Sequence, residues 1–65
     1  MKELVKTYII KDYIKEKNLT KTEFCKRCKI SIYTLNKILS RKNFEISALF
    51  KIAKVLELEV YQLFY

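Results

Sequence analysis

The chain is 65 residues long, with fourteen Lys and Arg against seven Asp and Glu, a formal net charge of +7, and no His, Gly or Pro. One domain fits this length. It buries only about 60% of its unfolded surface, so a catalytic pocket walled by protein is hard to build. Without His the usual neutral-pH acid/base and commonest metal ligand are missing, and without Gly so are phosphate-cradling loops and the tightest hairpins. What remains is a small, all-α, cationic, non-enzymatic module, read as a single domain over 1–65, with no cofactor.

Residues 2–17 predict a first helix. Ile10, Tyr13 and Ile14 form a stripe that ends near Asn18, whereas Leu4, Val5, Tyr8 and Ile9 fall on other sides of the wheel. The 1–9 segment is therefore extra packing, partly a strand, or an interface with a partner. Thr20-Lys21-Thr22-Glu23 has the pattern of a capping box, in which hydroxyl and carboxylate each satisfy an end amide. It opens a helix over 21–28, with Phe24, Cys25 and Cys28 inward and Lys21, Lys26 and Arg27 outward. Lys29-Ile30 is a turn, and Ser31 caps a helix from 32 to about 40. Leu35, Ile38 and Leu39 form its buried face; Ile32, Tyr33, Asn36, Lys37 and Ser40 point elsewhere. After a polar loop, Arg41-Lys42-Asn43, the clearest amphipathic stripe is Ile46, Leu49, Phe50, Ala53 and Leu56. A short helix over 60–64 closes the domain with Leu63 and Phe64.

The charge is not spread evenly. Between Lys17 and Lys42 eight cations face Glu23 alone, and the remaining charges cancel. Such a concentration draws polyanions and neutralises phosphates. No apolar run exceeds three residues, against about 20 for a membrane span, and no apolar block follows the first residues as in a signal peptide. Cys25 and Cys28 then read as reduced thiols of a cytoplasmic protein. Their C-x-x-C spacing lacks the second ligand pair of a zinc site. Both lie on the apolar side of their helix, where Cys acts as a small hydrophobe. No metal is assigned.

Two short helices with a three-residue break, a small residue at their crossing (Cys25), apolar residues pinning the second helix (Leu35, Ile38) and a free N-terminus on it are what a helix-turn-helix requires. Over about 10–64 the chain resembles the Xre family, the Cro- and phage-repressor type of helix-turn-helix DNA-binding domain. The resemblance is strongest in Leu19-Thr20-Lys21-Thr22-Glu23-Phe24, Ile30-Ser31-Ile32-Tyr33-Thr34-Leu35-Asn36-Lys37-Ile38, Leu49-Phe50-Lys51-Ile52-Ala53-Lys54-Val55-Leu56 and Val60-Tyr61-Gln62-Leu63-Phe64. It implies a compact five-helix bundle of the lambda-repressor-like type, with the helix-turn-helix at about 21–40, that binds DNA, often as a dimer. The chain departs from the family at Lys21, where Gln is common, and at Lys29, Arg41 and Glu57, where Gly is usual.

Carried over residue by residue, the resemblance implies base contacts from Ile32, Tyr33, Asn36 and Lys37, with Thr34 beside them. Their chemistry suits base edges, with an aliphatic group for a thymine methyl, an amide for adenine and an ammonium for guanine. Thr20, Lys21, Arg41, Lys42 and Asn43 are the implied phosphate contacts. Leu4, Val5, Tyr8 and Ile9 are the candidate homodimer interface. The function expected is that of a sequence-specific transcriptional regulator, a repressor, binding double-stranded DNA with no membrane partner and no evident small-molecule effector. The alternative is a protein-interaction module that keeps the fold but has lost DNA binding.

Overall fold

A computed structural model describes residues 4–65. Among them run α1 (Thr7–Glu16), α2 (Lys21–Cys28), α3 (Ile32–Leu39), α4 (Ile46–Leu56) and a single turn of 3-10 helix, Val60–Leu63. The all-α expectation holds, with four α-helices and the fifth element wound as 3-10. That last element has only four residues between the left-handed Glu57 corner and Phe64, which turns extended.

Each α-helix stops in the same way. The first or second residue past the end takes a left-handed conformation: Asn18 at φ 55°, Lys29 at 60°, Arg41 at 57° and Glu57 at 59°. Its amide and the next one fold back on orphan carbonyls of the last turn. Ile30 N donates to Cys25 O at 3.1 Å and Lys29 N to Lys26 O at 3.3 Å; Lys42 N donates to Lys37 O at 2.8 Å; Leu58 N donates to Ala53 O at 2.9 Å. This is the Schellman arrangement, usually built on Gly. Leu19, Ile30 and Leu58, which follow three of these corners, pack against the core as the motif favours.

The core is centred on Phe24, Ile10, Leu35, Ile38, Leu49, Ile52, Leu63 and Val5, all fully buried. The rings of Tyr13 and Phe24 meet at 5.7 Å, tilted by 59°, a favourable edge-to-face style of contact. α4 packs on both α2 and the 3-10 turn, while α2 also packs on α3. Phe44, just before α4, is buried as well and anchors a loop whose sequence looks wholly polar up to Asn43.

Two readings of the sequence are corrected. The first helix begins at Thr7, and of the alternatives left open for the segment before it the partly strand-like one is found; Lys2 and Glu3 lie outside the described residues. Ahead of it Val5 forms an isolated antiparallel bridge with Phe64. Lys6 N donates to Leu63 O at 2.6 Å and Tyr65 N to Leu4 O at 2.9 Å. Pairing turns Val5 into the core with no exposed surface, which removes it from the candidate dimer interface, and Ile9 is half-buried against the core. Leu4 and Tyr8 stay 45% and 49% exposed. In α4 the buried face is Ala48, Leu49, Ile52 and Ala53, so Ile46 and Phe50 project outward. The two alanines allow close approach, and the helix turns its small side toward its neighbours.

A left-handed residue with a β-carbon costs about 1 kcal/mol relative to Gly. Lys29→Gly is therefore expected to stabilise the fold by about 0.5–1 kcal/mol, after allowance for the greater freedom of Gly in the unfolded chain. Lys26→Gly, three residues earlier inside α2, should lower stability by about 1 kcal/mol. Thermal melts of the two variants should move in opposite directions.

Candidate nucleic-acid interface

The capping box at the start of α2 is formed in full. Glu23 N donates to Thr20 Oγ1 at 3.1 Å, and Thr20 N donates to Glu23 Oε1 at 2.8 Å. The opening of α2 thus already holds its own carboxylate. Lys21 is exposed beside it, and the Thr20 hydroxyl has one of its two lone pairs engaged by the Glu23 amide, leaving its proton to donate. Hydrogen bonds from the Thr20 backbone and then its side chain, with smaller help from the charges of Arg27 and Lys26, hold the Glu23 carboxyl below the ordinary value for Glu.

The α2–α3 corner is tied at several points. Lys29 makes the left-handed turn; Ser31 Oγ accepts from Thr34 N at 3.0 Å and donates to Thr34 Oγ1 at 2.9 Å; Cys25 Sγ donates to Ser31 O at 3.7 Å. Leu35 and Ile38 pin α3 from beneath. At 100° per residue, Ile32, Asn36, Ser40, Tyr33 and Lys37 then share one outward arc of about 140°. Tyr33 is 69% and Ile32 43% exposed, Asn36 and Ser40 are exposed, and Lys37 is half-buried. Lys37 Nζ lies 5.1 Å from the centre of the Tyr33 ring. That cation–π contact holds both side chains in a defined orientation.

Tyr33, Asn36, Lys37 and Ser40 line a depression together with Lys42 and Asn43. Four residues of the recognition arc and two of the expected phosphate contacts therefore share one concavity. Ser40, which the sequence places on the outward face but outside the implied contacts, is a further member, one turn on from Asn36. Thr34 stands apart, half-buried on the other flank of α3, with its hydroxyl taken by Ser31. Arg41 is exposed at the left-handed corner that ends α3.

Both cysteines are free and buried. Burial raises the Cys25 thiol, and burial with the neighbouring Cys25 pushes Cys28 up to about 11. Neither has the lowered pKa of a reactive thiol. Among the described residues no group of three or more His, Cys, Asp or Glu could hold a metal ion, and no helix is long and apolar enough to cross a membrane.

A capped α2, a left-handed three-residue break and a pinned α3 with its polar arc free constitute a helix-turn-helix unit. The family model of the Cro/C1-type HTH DNA-binding domain matches residues 10–65, and the chain belongs to that family. No curated protein and no solved structure matches it.

The lowered Glu23 carboxyl makes the capping box sensitive to acid. Its folded value lies below its unfolded one, so its contribution is fully present above about pH 4.3, the ordinary Glu value, and is lost as pH falls through the lower folded value. Melting temperatures of the native protein should exceed those of Glu23→Gln near neutrality, and the gap should narrow as the pH falls below the ordinary Glu value of about 4.3.

Proposed function

We propose that this domain is a sequence-specific double-stranded-DNA-binding transcriptional regulator that inserts α3 into the major groove. The observation that carries this reading is the outward arc of α3: its side chains are presented by a helix whose opposite face is locked by Leu35 and Ile38. A major groove about 12 Å wide admits such a helix. Ile32, Tyr33, Asn36 and Lys37 read base edges, with Thr34 at the margin. Thr20, Lys21, Arg41, Lys42 and Asn43 hold phosphates and set the register. Repression is the action we assign, because occupancy alone occludes a promoter, and we place it in the cytoplasm.

The domain works as a homodimer on DNA, pairing two recognition helices across a two-fold axis. With Val5 inside the core, the interface falls to Leu4, Tyr8 and the half-buried Ile9. Tyr65 adjoins them, its amide on Leu4 O and its ring 5.5 Å from Lys6 Nζ. Sedimentation should find a dimer at high concentration that Tyr8→Lys dissociates without loss of fold; a monomeric wild type rejects the interface.

Positioning and readout separate in two variants. Lys21→Ala should weaken cognate and scrambled duplexes by similar factors and make the salt slope about one unit shallower. Lys37→Ala should cost about 1–3 kcal/mol on a site selected from random duplexes and much less on scrambled DNA. Equal losses on both duplexes would reduce Lys37 to another phosphate contact. Absence of any duplex binding at low salt would leave the protein-interaction reading.

A further inference from the structure

The recognition arc does not absorb all the exposed positive charge. Arg27, Lys29, Lys51 and Lys54 are exposed, and together with Cys28 and Val55 they line a depression between the end of α2 and the outer side of α4. That lining carries four cations, no carboxylate, and an apolar floor. A second depression, between the α2–α3 corner and the start of α4, has Lys29, Ser31, Thr34, Lys37 and Lys51 among its walls. It shares Lys29 and Lys51 with the first depression and Lys37 with the recognition concavity. Adjoining through these shared walls, the three form a row, here called the trench, from Lys42 and Lys37 beside α3, past Lys29 and Lys51, to Arg27 and Lys54. Its one acid is Glu45, whose Oε2 accepts from Ser47 Oγ at 3.5 Å.

We infer that this trench is a second phosphate-binding track, which engages the sugar–phosphate backbone of the bound duplex beyond the segment read by α3. The inference rests on the DNA-binding reading and extends it to residues outside the expected contacts. Continuity favours nucleic acid over an acidic protein surface: a backbone held at Lys42, beside the base edge that Lys37 reads, meets further cations wherever the duplex curves along this flank. α2 has eight residues, so the Arg27 end lies about 10–12 Å from the Lys21 end. That is about three base pairs of axis at 3.4 Å each. Phosphates reached from the far end of α2 are therefore different from those at its mouth. Curving the duplex costs elastic energy, which added cation–phosphate contacts offset.

Affinity measured against duplex length tests this. One duplex ends at the edges of the selected half-site; the other continues for about 6 bp, roughly 20 Å, on each side. The wild type should bind the longer one more tightly and with a steeper salt dependence, by about 0.9 in log–log slope for each added phosphate. Arg27→Gln/Lys51→Gln/Lys54→Gln should lose the gain from length yet keep its affinity for the short duplex, which also shows that it is folded. Lys6→Gln/Lys11→Gln/Lys15→Gln, with the same net charge, should retain the gain. The inference is overturned if length confers nothing on the wild type, if the trench variant keeps the full gain, or if both triple variants lose it equally. A wild type that binds neither duplex refutes the DNA reading itself, a result distinct from all of these.

Discussion

Packing four α-helices and a 3-10 turn into the described residues 4–65 requires the chain to reverse sharply after each helix, and the backbone achieves this at φ near +57°. Gly occupies that region without steric cost, and this chain has none. Asn18 is the mildest replacement, since its short amide tolerates the conformation. Lys29, Arg41 and Glu57 each cost about 1 kcal/mol, a substantial fraction of the roughly 5–15 kcal/mol by which a small domain is stable. Burial around Phe24, Leu35 and Leu49, and apolar contacts made by Leu19, Ile30 and Leu58 just past three corners, oppose that strain. Without those corners α2 and α3 would not cross at Cys25, and the arc of α3 would not be presented.

Strain and charge coincide at two of the corners. Lys29 lies on the trench between α2 and α4, and Arg41 follows the recognition helix. A Gly at either place would relax the backbone and remove a cation from the surface proposed to meet phosphate. The geometry therefore sets a small loss of fold stability against a gain in electrostatic attraction, with a long flexible side chain leaving an otherwise rigid turn. Glu57, at the far end of α4, bears a carboxylate, and no such exchange accounts for it.

What was legible in the sequence was local. The Thr20–Glu23 box and the Ser31 cap depend on residues three apart, and the Leu35/Ile38 pair on one helical turn, so α2, the corner and α3 agree with expectation almost residue for residue. The N-terminal segment was not legible in this way, because Val5 is placed by Phe64 at the other end of the chain, and no local periodicity records that pairing. In α4 two apolar arcs compete. Counting large side chains chose Ile46 and Phe50, whereas close packing chose Ala48 and Ile52, and only the neighbours α2 and the 3-10 turn decide between them. On the site, the sequence pointed to the outward residues of α3. It did not show that Lys51 and Lys54, distant in order, stand beside Arg27 and Lys29.

The Val5–Phe64 bridge brings Leu4 and Tyr65 to one corner of the molecule. Any polypeptide continuing from either end leaves from that same corner, so one fused at Tyr65 and one fused ahead of Leu4 would compete for the same space. The bridge also sets how the domain answers force. Tension applied through the two ends pulls the antiparallel pair apart sideways, loading the Tyr65–Leu4 hydrogen bond before the Lys6–Leu63 bond, like the teeth of a zip. Opening them withdraws Val5 from the core and uncovers Leu63 while the helix-turn-helix is still intact. Under load this protein should yield in stages, first at its closed ends and last at the helices that face DNA.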